Sequence, residues 1–244
     1  MKAAGISDRG KVRDNNEDSY LIWHEGQLTM YAVADGMGGH AAGEVASSLA
    51  LATVRRYLHA DAEIVLAGEP VLLQQYLREL LEHANRAVLD EGSARSECSG
   101  MGTTLSMVLD VAGQYWLGHI GDSRAYLLRR EEIVHLTEDH TLVSQLVRSG
   151  QIAAEDKDEH PQRHILTRAL GTDYVAEFDI LPLEIVPGEA VVLCTDGLYS
   201  MVTDEEIREA VWAGAEPDEA LQRLVDLANE RGGKDNITVV LVYF

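Results

Sequence analysis

Strand-like segments in this chain come in runs and helix-like segments in pairs, and no other sequence feature constrains the fold as much. Strict alternation of strand and helix would demand a parallel sheet; grouping argues for an α+β protein with antiparallel pairing. Residues 19–23 and 29–34 read as strands joined by a turn at Glu25-Gly26-Gln27. Residues 44–58 then repeat apolar side chains at helical spacing. A second helix opens at Pro70, a favourable first-turn residue, and is expected to stop at Gly92. From Thr104 the strand pattern returns in four closely connected segments (104–109, 115–120, 124–128 and 133–136), the rhythm of an antiparallel meander. Residues 178–185, 190–194 and 237–243 read as later strands. Thr203-Asp204-Glu205-Glu206 is a capping box, and Leu221, Leu224, Val225 and Ala228 mark a helix ending near Gly232. A short helix at 142–148 and the aperiodic polar stretch 150–164 read as an excursion. The expectation is one domain over 1–244 with a flap at about 142–165.

Composition narrows the function. The 244 residues include 20 Lys and Arg against 41 Asp and Glu, a formal charge of −21. A surface so acidic repels phosphate backbones and anionic lipid, so neither nucleic acid nor a membrane is an expected partner unless a cation intervenes. Charged and apolar residues are interspersed, unlike a disordered acidic tail. No apolar run approaches the roughly 18–20 residues of a membrane span. Met1 to Arg9 holds no signal-peptide core, and two cysteines, Cys98 and Cys194, make no disulfide framework. A cytoplasmic monomer is expected.

The acidic residues are also placed. Asp18 opens the first strand, Asp35 closes the second before Gly36, and Asp122 follows Gly121 after the 115–120 strand. Asp196 follows the 190–194 strand and precedes Gly197; Asp235 and Asn236 stand just before the last strand. One Asp-Gly pair is an ordinary turn signal. Five aspartates at strand ends on one side of stacked sheets would converge. Gathered carboxylates repel one another unless a cation neutralises them, and oxygen donors without a His/Cys set favour Mg²⁺ or Mn²⁺ over zinc. Two such ions can share a bridging water, lower its pKa and screen a phosphoryl group under attack, which suits phosphate ester hydrolysis. A positive fork for the phosphate oxygens is also needed. Arg13, shortly before Asp18, is the candidate; its alternative is a surface arginine in a loop.

Six segments follow in an order that resembles the motif series of the type 2C metal-dependent protein phosphatases (the PPM family), bacterial branch. They are Arg13-Asp14-Asn15-Asn16-Glu17-Asp18, Val33-Ala34-Asp35-Gly36-Met37-Gly38-Gly39-His40, Ser99-Gly100-Met101-Gly102-Thr103-Thr104, Gly118-His119-Ile120-Gly121-Asp122-Ser123-Arg124, Cys194-Thr195-Asp196-Gly197-Leu198 and Lys234-Asp235-Asn236-Ile237-Thr238. Each alone is weak; six in order are specific. The resemblance implies a four-layer α-β-β-α sandwich, with two central antiparallel sheets flanked by helix pairs. It implies hydrolysis of phosphoserine and phosphothreonine in proteins by direct attack of a water bridging two metal ions. Asp18, Asp35, the Gly36 carbonyl, Asp196 and Asp235 would hold those core ions, and Asp122 with Asp196 a third, weaker one. Arg13 would bind the substrate phosphate, Asn236 would act beside it, and 150–164 would form the flap. Partners would be phosphorylated proteins, the products of serine/threonine kinases. Eukaryotic members carry a histidine, their proposed general acid, two residues after the aspartate matching Asp35; here Met37 stands there. A metal-held water is then the first candidate to protonate the leaving group and His40 the second.

Competing readings fare worse. Gly36-Met37-Gly38-Gly39-His40-Ala41 fits the G-x-G-x-x-A fingerprint of a dinucleotide-binding oxidoreductase. Asp35 would then set a carboxylate beside the pyrophosphate, and no parallel strand is expected after the 44–58 helix. Six positions after Cys98 and Cys194 stand Thr104 and Ser200, not the arginine a cysteine phosphatase needs. A non-catalytic phosphoprotein-binding scaffold on the same fold is the remaining alternative. An aspartate at every ligand position favours the enzyme.

Overall fold

The structure, a computed structural model, describes residues 1–39, 42–157, 159–214 and 216–244. Strands β1 (Lys2–Asp8), β2 (Asp18–Glu25) and β3 (Leu28–Met37) lead into helices α1 (Ala42–Ala60), α2 (Ala62–Ala67) and α3 (Pro70–Ala94). Then come β4 (Gly102–Thr103), β5 (Leu105–Val111), β6 (Gln114–Ile120), β7 (Arg124–Leu128), β8 (Ile133–His135) and helix α4 (Leu142–Arg148). The chain finishes with β9 (Asp179–Leu183), β10 (Ala190–Cys194), α5 (Asp196–Tyr199), α6 (Asp204–Ala213), α7 (Pro217–Glu230) and β11 (Ile237–Tyr243). One sheet has the order β1-β11-β10-β7-β8 and the other β2-β3-β5-β6-β9, with β4 paired to β3. Their pairings are antiparallel.

Alternation along the central strands sets the layers. Met30, Ala32 and Ala34 of β3 join the core under α1 and α3, while Tyr31 and Val33 face the other sheet. On β11, Val239 and Leu241 pack toward α6 and α7, and Val240 and Val242 meet β3 across the sandwich. Buried on both faces, these strands read as near-continuous apolar runs. The result is the expected α+β sandwich: helices, sheet, sheet, helices. At α6 the capping box is formed: the Thr203 hydroxyl accepts the Glu206 N–H, and the Glu206 carboxylate accepts the Thr203 N–H.

Several expectations change. The four segments from 104 to 136 are not one meander. β5 and β6 belong to one sheet and β7 and β8 to the other, and the chain crosses between them at Gly121-Asp122-Ser123. Gly121 adopts φ +105°, and a Cβ there would press into Thr104 at 2.5 Å. Strand β1 was not expected, because Lys-Ala-Ala-Gly-Ile-Ser-Asp shows little apolar alternation; pairing with β11 along its whole length makes it a strand. Helix α3 runs through Gly92 to Ala94, and α2 also escaped the sequence pattern. At 142–165, the Leu142 N–H donates to the Ile165 carbonyl at 2.8 Å, so both ends of the excursion meet. Among the described residues no helix is long and apolar enough to cross a membrane. Both cysteines are buried and free, and burial pushes the Cys194 thiol pKa up.

Candidate active site

The aspartates picked out by sequence meet where the two sheets come together. Asp18 and Asp35 stand directly opposite each other in the β2–β3 register, on one sheet. Asp196 follows β10 and Asp235 precedes β11, both on the other sheet, and Asp122 sits on the crossover between sheets. The Thr195 hydroxyl donates to Asp18 Oδ2 at 2.7 Å and so ties the two sheets together at this point. Arg13, Glu17, Asp35, Gly36, Met37, Asp122, Asp196 and Asp235 line one cleft of about 570 Å³, and Asp18 is buried behind it.

The surrounding backbone is held firmly. The Asp35 N–H donates to Thr104 Oγ1, while the Asp35 carbonyl accepts from the Thr104 N–H and Thr103 Oγ1, each at 2.9 Å. Gly36 donates its N–H to the Glu17 carbonyl at 3.2 Å, and a Cβ at Gly36 would run into the Gly43 carbonyl oxygen. A Cβ at Gly197 would likewise strike the Asn236 carbonyl. These glycines let neighbouring backbones close around the aspartates.

Electrostatically the cleft is frustrated. Burial first, and then neighbouring carboxylates, push Asp196 up to about 6, Asp18 to about 7 and Asp122 to about 8; Asp35 is raised as well. Asp35 feels Asp18, Asp196, Asp122 and Asp235, so the five act on one another as a group. Arg13 partly offsets the charge, with Nη2 2.6 Å from Asp235 Oδ2. Among the described residues, no three Asp, Glu, His or Cys side chains are drawn together tightly enough to form one ion's ligand set. A hard ion such as Mg²⁺ needs only one or two carboxylates and fills the rest of its shell with water. An all-oxygen donor set, buried and raised in pKa as a group, fits hard divalent cations.

One sequence expectation is placed differently. Asn236 does not line the cleft. It is 4% exposed, and its Oδ1 accepts the Glu17 N–H at 2.8 Å while Nδ2 donates to the Arg9 and Asn15 carbonyls at 2.9 Å each. Its side chain is engaged in holding the 9–17 loop. His40 lies outside the described residues. The sequence reading missed Glu17, whose carboxyl packs against Gly43 and is pushed up in pKa by burial. It also missed the opposite wall, which includes His164, Thr167, Arg168, Thr172 and Asp173. Glu17 directly precedes Asp18 within a quoted motif and was within reach; the wall follows an aperiodic stretch and was not. The pairing of β3 is antiparallel throughout, which removes the βαβ setting a dinucleotide fingerprint requires.

A family model described as Protein phosphatase 2C matches residues 9–238. The serine/threonine phosphatase stp of Listeria monocytogenes is 35% identical over 243 residues, covering 99% of this chain and 95% of that protein. The serine/threonine protein phosphatase PstP of Mycobacterium tuberculosis is 41% identical over 241 residues, covering 99% of this chain and 44% of that longer protein. A crystal structure of M. tuberculosis PstP has a TM-score of 0.86 and 41% identity, over 98% of this chain and 97% of that one. Another, of the PstP catalytic domain in complex with two manganese ions, has a TM-score of 0.80 and 38% identity over 98% and 96%.

Proposed function

The chain belongs to the protein phosphatase 2C family, and we propose that it hydrolyses phosphoserine and phosphothreonine in proteins at the carboxylate cleft. The observation that carries this reading is the single group of five mutually repelling aspartates, drawn from both sheets, with an arginine at its edge. Asp18, Asp35, the Gly36 carbonyl, Asp196 and Asp235 would hold two Mn²⁺ or Mg²⁺ ions, and Asp122 with Asp196 a third. Bound there, such ions supply Lewis acidity to the phosphoryl oxygens and make water a stronger acid.

The protein's own groups prepare the site for that chemistry. Thr103 and Thr104 fix the Asp35 backbone, and Thr195 fixes the Asp18 carboxylate. Arg13 keeps about half of its side chain exposed at the cleft while bonded to Asp235, so its remaining N–H groups can fork onto non-bridging phosphate oxygens. Residues 142–165 form the flap beside this opening, and His40 remains the side-chain candidate for protonating the leaving alkoxide. Partners are phosphoproteins made by serine/threonine kinases. A cytoplasmic location fits two buried, free cysteines, and the chain is proposed to act as a monomer.

Purified protein should cleave an aryl phosphate and a phosphothreonine peptide with Mn²⁺ or Mg²⁺, stop on chelation and recover when the ion is restored. A rate unchanged by chelation would refute the reading. The scaffold alternative predicts binding of the phosphopeptide without phosphate release.

A further inference from the structure

We propose that His140 is a positioning residue that holds the Asp122 crossover in place; the proposal rests on the reading of Asp122 as an ion ligand. Gly121 carries the chain between sheets at φ +105° and needs partners for its backbone groups. Residue 140 supplies both. Its N–H donates to the Gly121 carbonyl at 2.8 Å, and its imidazole Nδ1 accepts the Gly121 N–H at 3.1 Å. The His140 residue is 6% exposed, so water is poorly placed to substitute. The rest of the loop has other anchors: Tyr199 Oη donates to the Asp122 carbonyl at 3.0 Å and Ser106 Oγ to the Ser123 carbonyl at 2.6 Å.

A backbone N–H is received only by a lone pair, so the ring carries its proton on Nε2. That proton faces Asp179 Oδ2 at 3.2 Å. Arg168 Nη1 lies 3.3 Å from Nε2, but a guanidinium has only protons to offer and forms no bond to an N–H. Arg168 is held by Glu177 and Asp179, and its charge disfavours a second proton on the ring. The His140 carbonyl accepts the Thr167 N–H at 2.8 Å, so the same residue joins the Asp122 crossover to the cleft wall.

The direct test is a long-range ¹H–¹⁵N correlation spectrum of the Mg²⁺-loaded wild type near neutral pH. His140 should report the Nε2–H tautomer; an Nδ1–H tautomer or an imidazolium would overturn the proposal. Two variants test the consequence. His140→Phe keeps the ring and removes the acceptor, whereas His140→Asn offers an oxygen near the Nδ1 position. The Phe variant should lose about tenfold or more in kcat on an aryl phosphate, with KM nearly unchanged, and the Asn variant should recover most of it. Equal loss in both, or none in either, would overturn the proposal. Should the Phe variant fail to fold, the wild-type spectrum decides. Asp122→Ala serves as the control: full activity there refutes the ligand reading itself and with it this route, whereas impaired Asp122→Ala beside normal His140→Phe refutes only the role of His140.

Discussion

Replacing Asn236 with alanine separates a structural latch from a substrate contact. Three hydrogen bonds disappear, one accepted from Glu17 and two donated to Arg9 and Asn15, in a side chain 4% exposed. At about 0.5–1.5 kcal/mol net for each bond, the loss comes to roughly 3 kcal/mol, and the unpaired backbone groups left behind keep it from being smaller. For a domain of this size each kcal/mol moves Tm by about 2–4 °C, so the variant should melt about 6–12 °C below the parent. Thermal unfolding should be followed by circular dichroism in excess chelator, because ions bound to the folded form would mask part of the change. Asn236→Asp keeps an acceptor for Glu17 and loses the two donors, so it should fall in between. A melting point within about 1 °C of the parent would refute the latch. A raised KM without a lower Tm would instead place Asn236 on the substrate.

Other outcomes follow from the same geometry. If Arg13 binds the substrate phosphate as proposed, Arg13→Ala should raise KM for a phosphopeptide more than it lowers kcat; steady-state kinetics showing an unchanged KM would exclude that role. Asp196→Asn should abolish turnover yet raise the melting point of chelated protein, because one repelling charge leaves the cleft. Saturating Mn²⁺ should raise the wild-type Tm, by about 2.7 kcal/mol of added stability at a hundredfold excess over Kd, and much less in Asp35→Asn. His119 is fully buried, and burial pushes its pKa down to about 4 from 6.5. Between those values the unfolded chain takes up the proton first, so the contribution is complete above pH 6.5 and about 3 kcal/mol is lost as pH falls to 4. Urea unfolding at neutral and acid pH should show a shallower loss in His119→Gln.

What could be read from sequence depended on how local its cause is. β11 announces itself because a central strand buried on both faces is a near-continuous apolar run, and α6 because its capping box lies within four consecutive residues. β1 owes its existence to a partner more than two hundred residues away, which no local pattern records. The split of 104–136 between sheets hangs on Gly121, whose positive φ looks like an ordinary turn in sequence. At the site, each aspartate was visible as a strand-end residue. Their convergence required the tertiary fold, and so did the difference between Arg13, which lines the cleft, and Asn236, which does not. The second wall, from His164 to Asp173, carries no periodicity and became visible only beside the aspartates.

The acidic groups of the cleft come from opposite leaves of the sandwich: Asp18 and Asp35 from one, Asp196 and Asp235 from the other. A cation gripping both would act as a rivet, and its affinity would depend on the leaves keeping their alignment. Sliding one leaf by an ångström widens the grip, although no side chain in the cleft has changed. Trimming a distant contact between the leaves, such as Leu117 or Leu193, should therefore register as a greater demand for metal as well as a lower melting point.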